Sequence, residues 1–290
     1  MVFTLLAATA QTFRNAAQKD LTARLGTVGA THVRFLFGLP FGLLILGAVA
    51  LALGDVPSPN RATLAWTTFG GVGQIGATAL MLAAMRERSF VVATAYTKTE
   101  PLQIALFAIV FLGESVGIGI VVAILIATAG VFVLSWPSQA GREVFTWRPA
   151  LLGIASGALF ALAAIGYRGG ITSLETTAFI PAATLTLAIA LSVQTALLSL
   201  WLLVRSPSVL IEIFRAWRLS LRAGFLGAFA SEMWFLAFAL ITPAPVRTLG
   251  LVEILIAGLV SRRLFSQTPG LRDISGMVLV VAGVVLLLNG

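Results

Sequence analysis

Glu100 and Glu253 are carboxylates 153 residues apart, each set in an apolar run of the length that crosses a bilayer. A charge at membrane depth costs roughly 2.5 to 3.5 kcal/mol on insertion scales, so it is retained where it meets a cavity or a partner. Such a carboxylate can take up an amine or carry a proton. The basic groups at similar depth are Arg14, Arg34, Lys98 and Arg247, of which the guanidinium forks suit a carboxylate. Gln11, Arg14, Asn15 and Gln18 recur at i, i+3, i+4 and i+7 and form one polar stripe, which reads as a cavity wall or as interhelical hydrogen bonding. Tyr96 and Glu100 are spaced to share a face, and Pro101 is placed to break the helix and free a backbone carbonyl beside Lys98. In the second half, Trp234, Arg247 and Glu253 complete the candidate substrate-binding set. Glu100, Glu232 and Glu253 are the candidate proton carriers. His32, the single histidine, reads as interfacial.

The elements that must position these groups are membrane helices. The chain has 290 residues, 59% hydrophobic and 10% charged, far from the roughly 25% charged of a soluble domain. Apolar runs over 2–18, 28–53, 62–85, 90–112, 116–135, 149–167, 177–204, 220–241, 245–265 and 271–289 predict ten spans. Residues 1–10 read as part of the first span rather than as a cleaved signal. The stretch 137–148 belongs to the longest polar interval not dominated by helix formers and divides the chain into 1–136 and 149–290, five spans each.

An odd number of spans per half forces two homologous halves into opposite orientations. Residues 98–134 align without a gap on 251–287, with 8 identities in 37 positions that include Glu100/Glu253, Gly117/Gly270 and Ala129-Gly130-Val131/Ala282-Gly283-Val284. The expected fold class is therefore an all-α integral membrane protein with ten transmembrane helices, built as two inverted five-helix repeats around a central cavity.

The net charge of +8 belongs to membrane orientation, not to nucleic acid, since 17 of the 19 basic residues are Arg concentrated in loops and helix ends. Thirteen loop cations, among them Lys19, Arg24, Arg86, Arg148, Arg205, Arg215, Arg218 and Arg222, fall on one side of a ten-span chain, and Arg61, Arg168 and Arg247 fall on the other. The positive-inside rule then places both termini outside the cytoplasm. With no Cys there is neither a thiolate metal site nor a disulfide. The sequence contains no nucleophile matched to a base, no nucleotide-binding motif and no metal-ligand cluster, so no cofactor is expected. Gly70-Gly71-Val72-Gly73 lacks the Lys-Ser/Thr of a phosphate loop and reads as close helix packing.

Ala93-Thr94-Ala95-Tyr96-Thr97-Lys98-Thr99-Glu100-Pro101, Phe111-Leu112-Gly113-Glu114 and Gly130-Val131-Phe132-Val133-Leu134 resemble the end of an EamA domain of the drug/metabolite transporter superfamily. The second half departs from that pattern, with Ile254 in place of Pro101 and Ser266-Gln267 in place of Gly113-Glu114. The resemblance implies two five-helix units around a central cavity, with both termini in the cytoplasm, opposite to the loop charge. Residues and resemblance together point to a secondary carrier in a bacterial inner membrane. Its expected cargo is a small polar organic metabolite, amino-acid-like or carboxylate-bearing, moved by alternating access, with protons as the candidate coupling ion and membrane lipids as surroundings. A lipid flippase and a membrane enzyme acting on lipid, with His32 and Asp20 as its only reactive pair, are the alternatives.

Overall fold

The computed structural model describes residues 1–54, 56–87, 90–112, 117–135, 147–253, 256 and 271–289. Among them the chain is helical, with no strand. The helices are α1 (Val2–Leu36), α2 (Gly38–Leu53), α3 (Arg61–Glu87), α4 (Phe90–Thr97), α5 (Glu100–Leu112), α6 (Ile118–Ser135), α7 (Trp147–Thr172), α8 (Phe179–Arg205), α9 (Pro207–Arg215), α10 (Trp217–Leu240), α11 (Pro243–Leu249) and α12 (Leu271–Asn289), with a 3-10 turn at Gly250–Val252. Five helical stretches have the length and apolarity to cross a bilayer: Val2–Leu53, Arg61–Glu87, Trp147–Thr172, Phe179–Arg205 and Trp217–Leu240. Most of the 137–148 connection and the end of the 245–265 run lie outside the described residues.

The first of these stretches holds 52 residues, roughly 78 Å at about 1.5 Å per residue, more than twice the hydrocarbon thickness. It therefore has to fold back. Gly26 does this with φ 68° and ψ 176°, a conformation open to a residue without Cβ. The two limbs of α1, 2–25 and 27–36, lie side by side, because Gln18 Nε2 donates to Ala30 O at 2.9 Å. On one straight helix those twelve residues would be separated by about 18 Å. The sequence leaves 19–27 between the first two spans, and the turn falls inside that interval: 19–25 stays helical and Gly26 makes the turn.

The distribution of polarity is that of a protein dissolved in lipid. Leu44, Leu51, Leu200, Leu203 and Val204 are exposed, whereas Arg14, Asn15, Gln18, Thr63, Thr67, Thr78 and Gln194 are buried. Small residues let the polar interior close up. A Cβ at Gly166 would stand 2.8 Å from Gly70 Cα, so α3 and α7 touch backbone to backbone, as the Gly70–Gly73 run predicts.

These two helices run antiparallel: Glu87 at the end of α3 pairs with Arg148 at the start of α7 at 3.2 Å. At the opposite end Asn60 caps α3, its Oδ1 accepting from Thr63 N at 2.8 Å while its Nδ2 donates to Ser173 O at 2.5 Å. Asn60→Ala removes the cap and the tie together and is expected to lower stability by about 1 to 2 kcal/mol, read as the unfolding midpoint in detergent. A shift indistinguishable from zero would show the cap to be replaceable by water.

The sequence reading leaves 205–219 as a loop, but 207–215 forms α9, a surface helix. Its apolar face buries Ile213, and Val209 packs on Gly29, where a Cβ would stand 2.7 Å from Val209 Cγ1. On the wet face, Glu212 accepts from Arg24 Nη2 at 3.0 Å and from Arg215 Nη1 at 2.5 Å, and those hydrogen bonds hold its carboxyl below the usual carboxylate range. Nine residues with one apolar stripe are too short to register as a span.

Candidate functional site

Two interrupted helices bring the site together. α4 stops at Thr97 and α5 starts at Glu100, because Pro101 has no N–H to offer the Thr97 carbonyl and disfavours helical geometry before it. The freed Thr97 oxygen lies against α7 at Gly157, where a Cβ would come within 3.0 Å of it. In the second half α11 gives way to the 3-10 turn Gly250–Val252, displaced by the same 153 residues from Thr97–Thr99. Ile254 stands where the first half has proline, so a different device works there. Gly250 admits the Trp234 ring so closely that a Cβ would meet its Cη2 at 2.6 Å.

Each break presents a carboxylate, and each carboxylate is met by a cation from the other half. Lys98 Nζ donates to Glu253 Oε2 at 2.5 Å, with both side chains nearly inaccessible. Arg247 Nε stands 2.9 Å from Glu100 Oε1, yet the N–H is not aimed along a hydrogen bond, so charge rather than alignment holds this pair. Glu253 also accepts from Gln11 Nε2 at 2.9 Å and from Asn15 Nδ2 at 3.4 Å. Gln11 in turn accepts from Trp234 Nε1 at 3.0 Å, and the Trp234 ring carries the Arg247 guanidinium 4.1 Å from its centroid, a cation–π contact. Thus Gln11, Asn15, Lys98, Glu100, Trp234, Arg247 and Glu253 form one continuous polar cluster.

Arg14 and Arg34 border it. Arg14 Nη2 and Nε donate to the amide oxygen of the adjacent Asn15 at 2.7 and 3.2 Å. Arg34 donates to Thr78 Oγ1 at 3.2 Å and to Ser231 Oγ at 3.3 Å, and lies 4.9 Å from the Phe35 ring centroid. Both flank Gly227 of α10, where a Cβ would be 3.5 Å from Arg14 Cδ and 3.4 Å from Arg34 Cβ.

Three of the sequence candidates sit elsewhere. Gln18 ties the limbs of α1 through the Ala30 carbonyl, the interhelical role its amide also allowed. Tyr96 packs on Phe132, with ring centroids 6.3 Å apart, and covers Gly153 of α7; the helix break separates it from the Glu100 face. Glu232 accepts from Thr184 Oγ1 at 2.6 Å, while its Oε2 has no hydrogen-bond partner among the described residues. His32 Nε2 meets Ser199 Oγ at 3.0 Å, inside the bundle rather than at its edge.

A second network escaped the sequence reading. Tyr167 OH and Gln194 Nε2 both donate to Gln74 Oε1, at 2.9 and 2.8 Å, and Gln194 Nε2 also reaches Tyr167 OH at 3.1 Å and Gly71 O at 3.2 Å. Single amides inside the apolar runs of α3 and α8 were the available signal. Arg168 of α7 donates to the Phe238 and Ala239 carbonyls of α10. Among the described residues, no three His, Asp or Glu side chains are grouped to hold a metal ion.

Residues 1–136 match the EamA-like transporter family. A solved crystal structure, described only as that of a protein, aligns over 99% of this chain and 98% of its own, with TM-score 0.68 and 18% identity. At that identity it establishes a shared fold. No protein of curated function has a matching sequence.

Proposed function

We propose that this integral membrane protein, whose residues 1–136 match the EamA-like transporter family, is a secondary carrier of ten spans, made of two inverted halves over 1–136 and 149–290 joined by 137–148. The spans are the limbs 2–25 and 27–53, then 61–87, 90–112 and 118–135, followed by 147–172, 179–205, 217–240, the run beginning at 243, and 271–289. Contacts between the halves support the arrangement, since they survive exchange of span n with span n+5. The first span meets the eighth through Gln11 and Trp234, and the third meets the sixth through Gly70 and Gly166. The second meets the seventh where Gly42 lies against Leu191. The fourth meets the ninth through the two ion pairs.

The observation that carries the reading is the recurrence of an interrupted helix with a buried carboxylate at matched register, at the seam between halves. Broken helices at the junction of inverted repeats are where carriers place substrate and coupling ion. The cluster of Gln11, Arg14, Asn15, Arg34, Lys98, Glu100, Trp234, Arg247 and Glu253 is the proposed substrate site, and its mixed charge suits a small carboxylate-bearing or amino-acid-like metabolite. Alternating access follows when the two halves exchange conformations about that seam. Loop charge orients the carrier in a cytoplasmic membrane with both termini outside.

Of the three carboxylates that can couple a proton, Glu100 and Glu253 are each clamped by a cation, whereas Glu232 meets one hydroxyl and leaves an oxygen free. Glu232 is therefore the proposed proton carrier, with the other two acting as struts. In proteoliposomes tested with radiolabelled amino acids and small carboxylates, the wild type is expected to accumulate its substrate under an imposed pH gradient. Glu232→Gln is expected to abolish the dependence on that gradient while keeping substrate exchange, and Glu100→Gln is expected to slow both. PH dependence intact in Glu232→Gln would remove that residue from coupling. Absence of any flux across the panel would count against the carrier itself.

A further inference from the structure

The buried cluster carries more positive charge than its own carboxylates neutralise. Arg14, Arg34, Lys98 and Arg247 are each no more than 7% exposed, and among the described residues the carboxylates in contact with them are Glu100 and Glu253. The two carboxylates are taken by Arg247 and Lys98. What remains is a pair of guanidiniums, Arg14 and Arg34, whose hydrogen-bond acceptors among the described residues are all neutral: the Asn15 amide oxygen, the Thr78 hydroxyl and the Ser231 hydroxyl. Glu232 does not close the gap, since its one hydrogen bond among the described residues goes to Thr184 on α8.

The two guanidiniums repel each other and are repelled by Arg247; Glu253 attracts Arg14, but that carboxylate is already paired with Lys98 and makes no ion pair with Arg14 among the described residues. An isolated ion in a low-dielectric interior is among the most costly groups a fold can hold. Neutral acceptors solvate it only in part. Arg14 has one nitrogen still unpaired: Nε and Nη2 are bonded to Asn15, whereas Nη1 has no acceptor among the described residues, on a side chain that is 2% exposed. Gly227 keeps α10 free of side-chain bulk between the two arginines.

We propose that Arg14 and Arg34 form an anion-binding subsite and that the cargo is a net anion carrying up to two negative charges, a dicarboxylate or an oxyanion ester, rather than a zwitterion. This inference rests on the substrate site proposed above and narrows its chemistry. Lys98 and Arg247 already have carboxylate partners, so neither is the anchor for the ligand's acid group. The fork of Arg14, with one free edge, matches a carboxylate or phosphoryl oxygen through charge-assisted hydrogen bonds, and Arg34 compensates the second charge from across Gly227.

The test uses the purified full-length protein in detergent at low ionic strength, with succinate and sulfate as probes, and alanine and putrescine as zwitterionic and cationic controls. Succinate and sulfate are expected to raise the thermal unfolding midpoint, and the controls are not. Arg14→Gln is expected to weaken the apparent affinity for both anions by about 10- to 100-fold, the range for losing a hydrogen bond to a charged group. A second readout needs no ligand: Arg14→Met, which removes a buried charge that has no carboxylate in contact among the described residues, is expected to raise the midpoint of the ligand-free protein and to make it insensitive to sulfate.

Stabilisation by putrescine or alanine alone, or equal sulfate response in wild type and Arg14→Met, would overturn the proposal. So would a less stable ligand-free Arg14→Met, because it would mean that the charge is already neutralised. Proteoliposome exchange separates the two levels. Anion binding lost in Arg14→Gln, with no flux of labelled succinate in any protein, leaves the subsite standing and counts against the carrier. Flux of alanine with no anion effect does the reverse.

Discussion

Glu253→Gln alone is expected to lower the stability of the folded protein by about 3 to 5 kcal/mol, whereas Lys98→Met with Glu253→Gln is expected to recover most of that loss. The wild-type pair has Lys98 Nζ 2.5 Å from Glu253 Oε2, with side-chain exposures of 8% and 1%. Removing the carboxylate charge leaves an ammonium in the interior with no other anion in contact among the described residues, and the more distant Glu100, already held by Arg247, offsets its desolvation only in part. The reverse single change is milder. In Lys98→Met the Glu253 carboxylate keeps its amide donors from Gln11 and Asn15 and remains within electrostatic reach of Arg14. The expected order is therefore Glu253→Gln worst, Lys98→Met intermediate and the double variant mildest, read from unfolding midpoints in one detergent and combined as a double-mutant cycle. Additive losses would show that the ion pair contributes no coupling and that the two groups are stabilised separately.

This pairing also marks the boundary of what local sequence carries. Lys98 and Glu100, two residues apart, point in different directions on a regular helix, and Pro101 warned that the helix would not stay regular. The break occurred, but Lys98 turned to Glu253, 155 residues away, and Glu100 turned to Arg247. No periodicity in either segment encodes a partner in the other half. What the sequence does contain is the 153-residue offset, which aligns the two carboxylates and so places both at one seam once the halves pack.

The polar stripe of α1 was legible for a similar reason. Gln11, Arg14 and Asn15 share one face because the helix is regular over 2–25, and that face, tied together by the Arg14–Asn15 bond, reaches Glu253 and Trp234 as one network. Gln18 continues the stripe in register but meets Ala30, since the hairpin at Gly26 covers it. Tyr96 failed to follow Glu100 because helical period loses meaning across Lys98–Thr99. The Gln74–Tyr167–Gln194 network joins three helices through single side chains, and single residues have no period to detect.

The pseudo-symmetry proposed for the two halves has a consequence that can be measured at α6 and α12. A Cβ at Gly130 would stand 2.6 Å from Val280 N and 2.8 Å from Gly276 O, and one at Gly283 would stand 2.5 Å from Ala127 N and 2.7 Å from Ala123 O. Shifting Ala123, Ala127 and Gly130 by 153 residues gives Gly276, Val280 and Gly283, so the contact maps onto itself when the halves are exchanged. All four near atoms are backbone, and no rotamer can relieve the clash. Gly130→Ala and Gly283→Ala are therefore each expected to lower stability by about 1 to 3 kcal/mol, the range for forcing extra volume into a packed interior, and by similar amounts. Gly47→Ala in α2 is the control: nothing lies within 4 Å of its Cβ, and helix propensity alone predicts a gain of up to about 1 kcal/mol. The double variant separates a shared contact from two independent ones. If α6 and α12 meet across one two-fold seam, the separation forced by the first methyl makes room for the second, and the combined loss falls below the sum. Strictly additive losses, or a large effect at only one of the two glycines, would count against a seam shared symmetrically by the halves.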